Sequence, residues 1–150
     1  MSQENIREVY KALREGQNKY TYFLLAAAGA AIVLAVNKTQ NMTLGWSLIL
    51  LALAVASWGT SFFLGCLNVE YVNSTLYANA ELLKVENGIH PEIGNHQQMM
   101  AAASQGIRQA IKSNSDKANS LGHWQFYLLI TGAVFYILWH VLEMYLRNNS

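Results

Sequence analysis

Residues 44–67 read LGWSLILLALAVASWGTSFFLGCL, without one Asp, Glu, Lys, Arg or His among them. A helix needs roughly 17 to 25 apolar residues to cross about 30 Å of hydrocarbon. In lipid an unpaired backbone group finds no water, so a single apolar run is stable there only as a helix. Two further runs flank this one, YTYFLLAAAGAAIVLAV at 20–36 and WQFYLLITGAVFYILWHVLEMYL at 124–146. The whole chain of 150 residues is 53% hydrophobic and 13% charged, too apolar for a soluble domain of that size. Lipid is the solvent that such concentrated runs imply.

The pattern predicts an all-α integral membrane protein forming a single membrane domain over 1–150, with transmembrane helices at 20–36, 44–67 and 124–146. About twenty residues precede the first run, which is long for the core of a cleaved signal, so it is read as an anchored crossing. Residues 1–19 read as an amphipathic lead-in, with Ile6, Val9, Tyr10 and Leu13 at helical spacing and Arg7, Lys11 and Arg14 on another face. Residues 68–122 divide at ENGIHPEIGN, where Gly88, the only proline Pro91, and Gly94 break any helix. Val69, Val72, Leu76 and Leu83 stripe the segment before the break, and Met100, Ala103, Ile107, Ala110 and Ile111 stripe a helix from about 96 to 120. A helical hairpin between the second and third crossings follows.

Arg7, Lys11, Arg14 and Lys19 precede the first run, and Lys84, Arg108, Lys112 and Lys117 lie between the second and third, whereas only Lys38 and Arg147 lie elsewhere. Under the positive-inside rule the N-terminus and the hairpin face the cytoplasm, and the loop NKTQNMT and the C-terminus face outward. The net charge of +1 excludes a nucleic-acid partner, since no patch is dense enough to neutralise a row of phosphates. Cys66 is the only cysteine, which rules out an intrachain disulfide.

Bringing helices together in lipid gains nothing from hydrophobicity, so they associate where small residues let backbones approach. Ala26 and Ala30 on the first run, Ala52 and Ala56 on the second, and Gly132 on the third are such positions, available for packing within the chain or between copies of it. The second run also carries Ser57, Thr60 and Ser61, whose hydroxyls either bond back to their own helix or line a wet lumen.

On the third run Tyr136, His140, Glu143 and Arg147 share one helical face. With the crossing centred near Tyr136, His140 lies roughly 6 Å and Glu143 about 10 Å from the mid-plane, inside a half-thickness of about 15 Å. An ionisable group there is costly unless it is paired or meets water. One resolution is an interfacial anchor, with His140 neutral, Glu143 paired to Arg147, and Trp139 and Tyr145 at the interface; the other is a polar stripe facing a pore or partner.

His90, Glu92 and His96 in HPEIGNH lack the paired spacing of a structural metal site, so no metal or cofactor is expected. No nucleophile motif, P-loop, dinucleotide fingerprint or HExxH occurs, and no enzymatic activity is expected.

The order of a basic lead-in, REVYKALREGQNKY, a tight hairpin joined by NKTQNMT, and the helix VEYVNSTLYANAELLKVE resembles the SLATT-type two-transmembrane proteins of bacterial conflict systems over roughly the first 86 residues. The resemblance implies the inner membrane of a bacterium and a hairpin that oligomerises and permeabilises the membrane. The third crossing departs from that pattern, and no residue's role is carried over. Two functions follow as expectations. One is a homo-oligomeric pore or permeability element gated by its cytoplasmic hairpin, lined by Ser57, Thr60, Ser61 and His140. The other is a non-conducting accessory, immunity or assembly subunit bound to a larger membrane protein.

Overall fold

The computed structural model describes residues 3–40 and 45–148, with side chains described at residue 8 and from residue 11 onward. Three helices carry the described chain: α1 Gln3–Thr39, α2 Leu48–Glu86 and α3 Gln97–Asn148. Among the described residues there is no strand. Of the predicted lead-in stripe, the side chains of Ile6, Val9 and Tyr10 lie outside what is described, as do that of Arg7 and residues 41–44, while Leu13 is exposed.

The helices are 37, 39 and 52 residues long, and each contains a stretch long and apolar enough to cross a membrane. Each exceeds the run that predicted it. The lead-in and the first run form one helix, and so do the stripe beginning near residue 96 and the third run, because neither junction contains Pro or a left-handed Gly. The second helix starts later than residue 44, since Gly45 and Trp46 form a turn whose carbonyls accept from Leu48 N (3.1 Å) and Ile49 N (3.2 Å).

The chain forms two compact units, residues 1–66 with 122–150, and residues 67–121. In the first unit, α1, α2 and α3 pack antiparallel in sequence order. On α2 the buried positions are Leu51, Ala54, Trp58, Ser61 and Gly65, alternating three and four residues apart; on α3 they are Gln125, Gly132 and Trp139, seven apart. That average period of 3.5 is the spacing of knobs-into-holes packing between slightly supercoiled helices. Leu24, Ala28 and Ala35 form the buried edge of α1. Ala35, Leu51, Ala54, Trp58 and Trp139 make one core cluster, and Tyr136 stacks at a tilt between Trp58 (5.7 Å between centroids) and Trp139 (5.5 Å).

The second unit is an antiparallel pair made by the later part of α2 and the earlier part of α3. Asn68 donates to the carbonyl of Ala118 (2.7 Å), Lys117 sits over the Tyr71 ring (5.4 Å), and Arg108 meets Glu86 (2.6 Å). The predicted break is where α2 ends. Gly88 adopts φ +67°, its N–H bonds the carbonyl of Val85, and the N–H of Ile89 bonds that of Lys84, both at 3.0 Å. These two bonds close a helix through a left-handed glycine and satisfy carbonyls that the helix cannot.

Candidate functional site

The polar groups predicted to matter divide by which way their helix turns them. Adjacent hydroxyls on α2 meet different ends. Thr60 is exposed and donates to the carbonyl of Ala56 on its own helix (2.9 Å). Ser61 is fully buried and donates to the backbone carbonyl of Gln125 on α3 (2.7 Å). Ser57 is half-buried on the same helix. The three hydroxyls lie within about 100° of the helix circumference, yet they run from exposed through half-buried to fully buried.

Two polar groups that the sequence reading passed over make the seam instead. The indole N–H of Trp58 donates to the carbonyl of Leu129 (3.1 Å), reaching it because Gly132, one turn on, has no side chain to hold the ring away. Gln125 is buried completely, packed against Gly65, and neither its amide nitrogen nor its amide oxygen has a hydrogen-bond partner. Gly65 is where all three helices of this unit approach, since a Cβ there would meet both Gln125 and Leu25 Cδ2 (2.7 Å). The spacing of three and four through Trp58, Ser61 and Gly65, and of seven from Gln125 to Gly132 and Trp139, was the signal available for them.

The small residues also split. Gly132 is buried against Trp58, as expected for packing. Ala26, Ala30, Ala52 and Ala56 are exposed, and the alanines that pack within the chain are Ala28, Ala35 and Ala54. Around them the surface of this unit is apolar, with Val33, Leu34, Ile49, Phe63, Ile137 and Val141 each half or more exposed. A soluble monomer rarely exposes so much contiguous apolar surface.

The stripe on α3 comes apart in the same way. Tyr136 is half-buried between two tryptophans, while His140 is exposed and Glu143 half-buried. His140, Glu143 and Arg147 line a recess with Trp139, Met144 and, from α1, Lys38. The expected pairing of Glu143 with Arg147 is not among the ion pairs of the described residues, which are Lys84–Glu81, His90–Glu81 and Arg108–Glu86.

In the loop between α2 and α3, His90 lies 3.7 Å from Glu81, and its Nδ1 accepts from the N–H of Glu92 (3.3 Å). Among the described residues no three His, Cys, Asp or Glu side chains gather as a metal site would require. Glu81 is held below the usual carboxylate value by the hydrogen bond from Lys84, against a smaller opposing effect of desolvation, and the same bond raises Lys84. The chain matches no family model, no curated protein and no solved structure.

Proposed function

We propose that this chain is a small integral membrane protein that crosses the bilayer three times, self-associates, and acts as a non-conducting assembly, immunity or accessory subunit for a larger membrane protein. In this reading the lead-in and the hairpin of 68–122 lie in the cytoplasm and the C-terminus lies outside, by the distribution of Lys and Arg. One observation carries the choice of a non-conducting role. Ser61, the hydroxyl best placed for a lumen, is fully buried and bonded to the Gln125 carbonyl, and Thr60 is satisfied by its own helix. A pore needs a continuous polar stripe toward water, and an accessory subunit needs an apolar face.

Ala26, Ala30, Ala52 and Ala56 support self-association, because they are the outward small residues at which another helix could come close. The pore reading draws on a different observation, the exposure of His140 at the end of α3, which a ring of copies could turn toward a lumen. Purified protein in liposomes separates the two. Absence of dye or ion flux at every protein density supports the accessory subunit. Flux that disappears when the half-buried Ser57 and the exposed His140 are both replaced by leucine restores the pore. Particle mass in detergent then gives the number of copies.

A further inference from the structure

Lys38 belongs to the last turn of α1 and Arg147 to the last turn of α3, and both line the recess of about 310 Å³ with Trp139, His140, Glu143 and Met144. Two cations at one place suggest an anion, but helix C-termini carry partial negative charge, and here two of them accompany the cations. Glu143 adds a full negative charge, and no ion pair within 4.0 Å ties it to Lys38 or Arg147 among the described residues. The recess therefore presents both signs separately. Its electrostatics suit a zwitterion better than a simple anion.

Its size and walls narrow the choice. A volume near 310 Å³ is at the lower end of ligand pockets, enough for a polar headgroup whose hydrocarbon stays outside. Met144 and Trp139 give it an apolar side, and the buried indole N–H of Trp139 has no hydrogen-bond partner. A quaternary ammonium is usually held by a cage of aromatic faces. The only ring besides imidazole in this lining is Trp139, which is 3% exposed, so a choline group finds no cage. A primary ammonium, by contrast, donates hydrogen bonds to a carboxylate, and Glu143 supplies one.

We propose that this recess binds a phospholipid headgroup bearing both a phosphate and a primary amine, of the phosphoethanolamine class. Lys38 and Arg147 hold the phosphate, the ethanolamine arm folds back one turn toward the bilayer so that Glu143 receives the ammonium, and Met144 lies against the first acyl carbons. The assignment rests on the membrane reading above, in which this end of the first unit meets the outward leaflet.

The test uses full-length protein in mild detergent, with short-chain phosphatidylethanolamine, phosphatidylcholine and phosphatidylglycerol added separately and lipid retention read by native mass spectrometry. Wild type is expected to retain the ethanolamine lipid roughly tenfold more tightly than the choline lipid, the size of one charge-assisted hydrogen bond. Glu143→Gln, nearly isosteric, should erase that preference and leave phosphatidylglycerol bound at least as well as before. Lys38→Ala combined with Arg147→Ala should weaken both lipids by roughly tenfold or more. Equal retention of ethanolamine and choline lipids by wild type, or an unchanged preference in Glu143→Gln, overturns the proposal. Free phosphoethanolamine competing as well as the lipid overturns the lipid as its source. If the double variant fails to fold, the Glu143→Gln comparison decides alone. Failure of the membrane reading has its own signature, release of the chain from membranes by alkaline carbonate, whatever lipid is offered.

Discussion

Trp58 and Gly132 face each other across α2 and α3, so close that a Cβ built on Gly132 would stand 2.5 Å from the Trp58 indole nitrogen. Gly132→Ala therefore displaces the ring and stretches its bond to the Leu129 carbonyl. The expected cost is about 1 to 3 kcal/mol, that of overpacking a close-fitted site. Gly59, where nothing lies within 4 Å, is the control, and Gly59→Ala is expected to be neutral or stabilising by up to about 1 kcal/mol. Reversible unfolding of both variants in mixed micelles gives the comparison.

Thr60 and Ser61 separate an external from an internal hydroxyl. Ser61→Ala leaves the Gln125 carbonyl without its donor and should cost about 0.5 to 1.5 kcal/mol. Thr60→Val removes a bond made within one helix turn and should change stability by less than about 0.5 kcal/mol. Equal losses in the same micelle assay would place the two on equivalent faces, contrary to their burial.

Gln125 has a completely buried amide with neither atom bonded. Replacing it by methionine keeps an unbranched chain against Gly65 and removes two unsatisfied polar atoms. Gln125→Met should raise stability by about 1 kcal/mol or more. A loss of that size would mean that the amide has a partner, and ordered water at that position would be sought by hydrogen exchange.

The pair of Glu81 and Lys84 gives a pH dependence at two edges. The Lys84 hydrogen bond keeps the Glu81 carboxyl below its ordinary 4.5, so this contribution is present above about pH 4.5 and is lost as pH falls through the lowered value. Lys84 is raised above its ordinary 10.5, so its contribution is present below that pH and is lost as pH rises through the raised value. Carbon-detected NMR titration of Glu81 should show its midpoint moving up in Lys84→Met. Added salt should shrink the difference, because both groups are solvated.

Much of this fold could be read from the residues. The apolar runs announced the helices, and Gly88 and Gly94, both at positive φ in the structure, marked the turn between α2 and α3. The inward face of each helix was harder to read. Between Leu24 and Ala35, α1 has small residues all round, so Ala26 and Ala30 looked as fit for packing as Ala28 and Ala35. What decides among them lies on another helix: Leu51, Ala54 and Trp58 fix where space is needed, and Ala35 is the residue that joins them. The same limit hid the recess. Lys38 and Arg147 lie far apart in the sequence, and only two successive antiparallel turns of the chain, which set α3 parallel to α1, bring them to one wall.

Gln125, Gly132 and Trp139 stand at equal intervals along one uninterrupted α3. Each residue added to a helix turns everything beyond it by about 100°. A single insertion between Gln125 and Gly132 would therefore swing the notch for Trp58 away from α2 and drive a bulkier neighbour into the ring. Seven residues make nearly two full turns and restore the phase. Those seven also move the notch about 10 Å along the axis, so natural length variation in this stretch should come in sevens on α2 and α3 together, as two meshed racks must gain the same teeth.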